Sequence, residues 1–162
     1  MKKVALLFIV LMFLSLIPTY SQILEDSKDE HKFDPSKNPF LDLKETVLQA
    51  NQSGKRILLD VGGEWCIWCH RLDAFIDQHN EIKDFLKDNF VVLKINYSPE
   101  NKNEKFLEQY PKVAGYPHIF ILEKDGKFLF SKNTGELEKD KSYDADKILA
   151  FLKEWALSSE KK

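Results

Sequence analysis

The sequence predicts an α/β domain, a central mixed β-sheet with helices on both faces. Three observations lead there. Short apolar runs of strand character alternate with stretches whose apolar residues recur at helical spacing. A Lys124-Asp125-Gly126 turn joins two of the runs directly, which requires one antiparallel pair among strands otherwise separated by helices and therefore parallel. A Cys-x-x-Cys pair, Cys66 and Cys69, opens a helix just beyond a strand.

The 162 residues suffice for one core. Ahead of it, Lys2 and Lys3 precede a run from Val4 to Ile17 that is apolar but for Ser15 and too short to span a bilayer. Pro18 breaks the run, and Thr19 and Ser21 give a small-x-small cleavage site before Gln22. Residues 1–21 therefore read as a secretory signal peptide, with a retained anchor as the alternative, and the absence of a nearby cysteine argues against a lipid-anchored start. The formal charge is −2, and loss of Lys2 and Lys3 takes it to −2 − 2 = −4. Acids and lysines alternate without a basic face, which speaks against nucleic-acid binding.

Residues 22–37 are polar, of mixed charge and contain Pro35, so a flexible lead-in is expected there, with the domain over 38–157 and a disordered tail over 158–162. Asn38 and Pro39 form a helix start, Phe40, Leu43, Val47 and Leu48 its apolar spacing, and Gly54 its end. Arg56 to Val61 is a strand whose one acid is Asp60. After Gly62 and Gly63, Cys66 starts a helix carried on by Leu72, Phe75, Ile76 and His79, and Ile82, Phe85 and Leu86 continue the spacing. Phe90 to Ile95 is a strand with Lys94 as its only charge. A polar insertion from Ser98 leads to a helix around Phe106, Leu107 and Tyr110. Gly115-Tyr116-Pro117 precedes a strand over 118–122, the Asp125-Gly126 turn leads to another over 127–130, and 131–143 reads as a polar loop. Ile148, Phe151, Leu152 and Trp155 make the apolar face of a last helix.

The cysteine pair carries the chemistry. A thiol becomes a nucleophile on losing its proton, and the first turn of a helix favours the thiolate through its unpaired N–H groups and the helix dipole. Cys66 occupies that turn, and Cys69, on the same face, is within disulfide reach of it. By spacing alone the pair is also compatible with a structural disulfide, with zinc ligation, or, with His70, with the Cys-x-x-Cys-His attachment motif of c-type haem.

Leu58 to Cys66, with an acid six residues before the first cysteine, then Trp65-Cys66-Ile67-Trp68-Cys69, Lys94-Ile95-Asn96 and Gly115-Tyr116-Pro117, stand in the order found in the thioredoxin family, which the segment from Asn38 to Leu157 resembles. The resemblance implies the thioredoxin fold, with Cys66 as nucleophile and Cys69 as resolving thiol. It implies that Asp60 is a buried acid that takes the Cys69 proton through water, that Lys94 tunes it, and that Pro117 is in cis and shapes a groove where the Tyr116 backbone pairs with an extended substrate segment. Trp65 and Trp68 would shield the site. Three departures set the chain apart from ordinary thioredoxins: Gly62 in place of a tryptophan, Ile67-Trp68 in place of Gly-Pro, and His70 in place of a lysine. With the signal peptide, they resemble exported relatives of the C-terminal domain of the membrane electron carrier DsbD.

The rival readings are weaker on the residues themselves. Both methionines, Met1 and Met12, lie in the signal segment and are lost as axial haem ligands. Zinc lacks a second close ligand pair, and a disulfide closing so short a loop restrains the unfolded chain little. The expected protein is therefore a thiol-disulfide oxidoreductase, periplasmic or secreted. It needs no metal and no cofactor beyond the Cys66–Cys69 disulfide. It acts as a monomer on proteins bearing disulfides or thiols, more as reductase than as oxidase or isomerase, and draws electrons from a membrane redox partner. A non-catalytic binding module using the Tyr116-Pro117 groove is the further alternative.

Overall fold

Residues 33–157 are described by the structure, a computed structural model; the expected signal peptide, all but the end of the lead-in, and the tail lie outside the described residues. Helix α1 (Pro39–Ser53) begins where Asn38 accepts a hydrogen bond from the Phe40 N–H at 3.0 Å with proline in the first turn, and it ends at Gly54, whose φ of 67° lies in the left-handed region that favours glycine. Phe40 and Leu48 are exposed, so the buried side of α1 runs instead through Thr46 and Ala50, with Leu43 and Val47 packing beside them.

Strand β1 (Arg56–Gly62) is the buried centre of the sheet. It pairs in parallel with β2 (Phe90–Asn96) through a register running from Arg56 opposite Phe90 to Gly62 opposite Asn96. Two helices lie between them, α2 (Ile67–Gln78) and α3 (Asn80–Asn89), where the spacing suggested one continuous helical stretch. The break is local. His79 Nδ1 bonds the Phe75 carbonyl at 2.7 Å, the acceptor that its own amide would use in a continuing helix, and that amide turns to Ile76 instead.

After the single turn of α4 (Glu104–Leu107), β3 (His118–Leu122) and β4 (Phe128–Asn133) complete the order β2-β1-β3-β4. The mixed sheet is as expected, but β3 runs antiparallel to β1 as well as to β4, where the sequence suggests one antiparallel pair. The physical reason is that the connection stays at the end where β2 stops: Asn96 Nδ2 donates to the Asn101 carbonyl at 2.7 Å and Asn103 Nδ2 to the Asn96 carbonyl at 2.8 Å, and its single helical turn makes no crossover helix along the sheet, so β3 enters from that end. The expected polar loop after β4 also carries structure: a 3-10 turn (Thr134–Leu137), then β5 (Glu138–Lys139) paired with β6 (Ser142–Tyr143), with Thr134, Leu137 and Tyr143 buried. Helix α5 (Ala145–Trp155) starts at Asp144, whose carboxylate accepts from the N–H groups of Asp146 and Lys147.

Alternation along β1 divides the core. Ile57, Leu59 and Val61 pack with Ala50, Ile95, Phe106 and Phe120 beneath α1 and α4. Leu58 faces the other way, into Leu72, Ile82, Phe151 and Leu152 from α2, α3 and α5. Helices thus cover both faces, and Asp60 and Gly62, in phase with Leu58, point toward the cysteine helix.

Candidate active site

Strand β1 delivers the chain to the cysteines through Gly63, Glu64 and Trp65. Cys66 has extended backbone and caps α2, its sulfur accepting from the Cys69 N–H at 3.1 Å. The Cys66 and Cys69 sulfurs form a disulfide, their Cα atoms 5.2 Å apart. When the pair is reduced, the same cap geometry offers a backbone N–H to a thiolate on Cys66. His70, the third member of the haem reading, turns its Nε2 to the Glu64 carbonyl at 2.8 Å. Among the described residues no group of three or more His, Cys, Asp or Glu side chains is arranged to hold a metal.

Beneath the disulfide lies a charged cluster. Asp60 and Lys94 are both buried, and Lys94 Nζ donates to Asp60 Oδ2 at 2.8 Å. The same ammonium donates to both carboxylate oxygens of Asp73 on α2, at 2.8 and 3.0 Å. Burial alone would lower the Lys94 pKa; the two carboxylates together outweigh it and hold the pKa above its usual value. Burial raises the Asp73 pKa, and repulsion from Asp60 adds to the rise while Lys94 works against it. The second Asp60 oxygen, Oδ1, is buried with no protein partner.

The sequence did not point to Asp73, although a signal existed: it stands four residues after Cys69, on the same helix face. Phe33 falls within the expected flexible lead-in, yet it is 1% exposed and packs with Cys66 and Cys69. The ordered domain therefore begins ahead of Asn38. The Phe33 N–H donates to Glu64 Oε1 at 3.0 Å, and its ring lies 4.2 Å from Lys94 Nζ.

Aromatic groups rim the opening. Trp65 is 55% exposed, donates its indole N–H to the Tyr97 carbonyl at 2.6 Å and meets Tyr116 edge-on, while Tyr97 and Tyr116 stack at 4.7 Å. Burial, then the neighbouring Tyr97, raises the Tyr116 phenol pKa. Trp68 packs edge-on against Tyr143, which donates to the Trp68 carbonyl, and the Arg71 guanidinium covers its ring. The Tyr116–Pro117 bond is cis, and Tyr116 packs against the cysteine cluster. The fold thus gathers Cys66, Cys69, Trp65, Trp68 and Tyr116 around the disulfide, Pro117 adjoins Tyr116, and Asp60 and Lys94 lie on the buried side.

Residues 38–124 match the family model described as thioredoxin-like. The chain belongs to the thioredoxin-like family. Among similar proteins, disulfide bond reductase DsbH of Chlamydia pneumoniae is 28% identical over 119 residues, which cover 68% of this chain and 58% of that protein. Thiol:disulfide interchange protein DsbD of Pseudoalteromonas atlantica is 22% identical over 86 residues, 53% of this chain and 14% of that one. The chain therefore spans little more than half of the first relative and a small part of the second. A disulphide isomerase from Xylella fastidiosa superposes with a TM-score of 0.65 at 22% identity, over 75% of this chain and 94% of that one. The oxidised C-terminal domain of Neisseria meningitidis DsbD gives 0.54 at 18%, over 76% and 98%. At these identities the two structures show the thioredoxin-like fold.

Proposed function

We propose that this thioredoxin-like protein is a thiol-disulfide oxidoreductase of an extracytoplasmic compartment that works as a protein-disulfide reductase. The observation that carries the reading is the Cys66 sulfur at the cap of α2, bonded to Cys69 and flanked by the partly buried Trp68 and Tyr116, with the exposed Trp65 next to it in the chain. In the reduced protein the Cys66 thiolate attacks one sulfur of a substrate disulfide, and the other substrate sulfur leaves as a thiolate. Cys69 then gives up its proton and attacks the Cys66 sulfur, and the second substrate thiolate departs. Two electrons pass from the pair to the substrate, and the chain is left with the Cys66–Cys69 disulfide.

Asp60 takes the Cys69 proton through water, using an oxygen that has no protein partner, while Lys94 donates to its other oxygen and fixes the carboxyl group in place. The Tyr116-Pro117 edge, between Trp65 and Trp68, receives an extended segment of the substrate protein. The signal-peptide reading of residues 1–21 supports a reaction outside the cytoplasm, where a reductase must be recharged, and a membrane redox protein supplies the electrons to a monomer. The name of the Chlamydia relative agrees with this direction.

The test is insulin reduction by dithiothreitol, which the protein accelerates and Cys66→Ala does not; equal rates would overturn the nucleophile. Equilibration against glutathione decides direction. A potential nearer the roughly −270 mV of thioredoxin than the roughly −120 mV of a strong protein oxidant supports the reductase, and the reverse supports an oxidase. A covalent Soret band in protein from an exporting host would replace both with the haem reading.

A further inference from the structure

Gly62 is the last residue of β1, and what meets over its bare Cα is unusual. A Cβ there would fall 2.5 Å from Cys69 Sγ and 2.9 Å from Phe33 Cζ. The missing side chain is the space in which the sulfur and the ring come together. Phe33 is also the one residue other than the two cysteines that is fully buried in this cluster; Trp68 and Tyr116 only flank it. Its ring extends from there over the Lys94 ammonium.

The backbone that carries the ring is held at two points. The Phe33 N–H is held by Glu64, in the loop that enters the cysteine motif, and two residues on the Pro35 carbonyl accepts from the Asn101 side chain at 2.8 Å. Glu64 is itself next to His70, whose ring binds the Glu64 carbonyl. The segment ahead of the first helix is thus tied both to the loop that enters the cysteine motif and to the loop after β2.

We propose that Phe33 is a positioning residue for thiol exchange: its ring, seated where Gly62 leaves room, closes the buried side of the Cys66–Cys69 pair, so that an outside sulfur reaches Cys66 and not Cys69. The proposal rests on the oxidoreductase reading. Its chemistry follows from which sulfur is attacked. When the electron donor recharges the pair, its thiolate arriving at Cys66 expels Cys69 as the leaving group, and the donor's second thiol then attacks the donor sulfur of the mixed disulfide and releases Cys66; in the forward direction Cys69, kept free of adducts, resolves the mixed disulfide with substrate. Arrival at Cys69 would expel Cys66 and leave the adduct on a sulfur with little room to release it. A seal over Cys69 therefore keeps the exchange on the productive sulfur.

The test needs no turnover, so it is separable from the function itself. In the full chain carrying Cys66→Ser, Cys69 is the only thiol, and its alkylation by iodoacetamide is followed by mass. Phe33→Ala is expected to speed that reaction about tenfold or more, as an apolar cover is replaced by water. Phe33→Leu, a smaller apolar cover, serves if the alanine variant does not fold and is expected to speed the reaction less, about threefold. Phe106→Leu, in the core on the opposite face of the sheet, controls for stability: it should lower the unfolding midpoint and leave the Cys69 rate unchanged. Equal Cys69 rates in the Cys66→Ser protein with Phe33 intact, with Phe33→Leu and with Phe33→Ala, or the same acceleration in Phe106→Leu, would overturn the proposal. Failure of insulin reduction with the alkylation pattern intact would instead overturn the oxidoreductase reading alone.

Discussion

Lys94 Nζ stands 2.8 Å from Asp60 Oδ2 at the one register position of β1 and β2 where both partners carry charge. Both side chains are buried, so their pairing offsets a desolvation cost that neither could bear singly. Asp73 adds a second, half-exposed carboxylate to the same ammonium.

Removing the cation should therefore be costly. Lys94→Met keeps the length of the stem and strands the Asp60 carboxylate, whose Oδ1 already lacks a partner. The expected loss is about 3–5 kcal/mol at pH 7 in urea unfolding. Because the folded Lys94 pKa lies above its ordinary 10.5, the stabilisation is fully present below that value and is lost only as pH climbs through the raised one. Adding Asp60→Asn should recover part of the loss; a Lys94→Met effect below about 1 kcal/mol would mean that water screens the pair.

His118, directly after Pro117, predicts an acid limb. It is buried, its Nε2 meets Ser131 Oγ at 2.8 Å, and its Nδ1 has no protein partner. Burial lowers its pKa below 6.5. The folded state thus favours the neutral ring, and the stability it contributes is present above pH 6.5 and lost as pH falls through the depressed folded value. His118→Gln keeps a group able to reach Ser131 and does not titrate, so its unfolding midpoint should fall less than that of the wild type between pH 7 and pH 5. Parallel pH curves for the two proteins would assign the acid limb to other groups.

What the sequence revealed and what it concealed divide along a physical line. Asn38-Pro39, Gly54, the helix opened by Cys66 and the turn at Asp125-Gly126 are local devices, and each acts within a few residues of itself. Asp60 was legible as the one acid in a mostly apolar strand, a pattern that suggests burial, whereas its pairing with Lys94 came only from the family resemblance. Asp73 looked like any acid on a helix, since its meaning depends on a lysine that β2 brings beneath it. Phe33 was a single aromatic in a polar stretch with no periodicity to mark it. Its burial comes from the side chain that Gly62 does not have, a relation between distant positions that no local pattern encodes. The direction of β3 was missed for a similar reason, because it follows from side-chain bonds of Asn96 and Asn103 that hold the connection after β2 at one end of the sheet.

Gly62 gives the last prediction. In Gly62→Ala the new methyl would lie 2.5 Å from Cys69 Sγ and 2.9 Å from Phe33 Cζ. In the oxidised protein neither neighbour yields easily, because the sulfur is bonded to Cys66 and the ring is fully buried. Overpacking of this kind costs about 1–3 kcal/mol, which urea unfolding of the oxidised protein should show. Reduction frees the sulfur to turn away, so the loss should be smaller in dithiothreitol. Adding Phe33→Leu should relieve part of the clash, making the double variant more stable than the two single losses added together, by about 0.5 kcal/mol or more. Strict additivity would mean that the ring and the Gly62 position do not compete for one space.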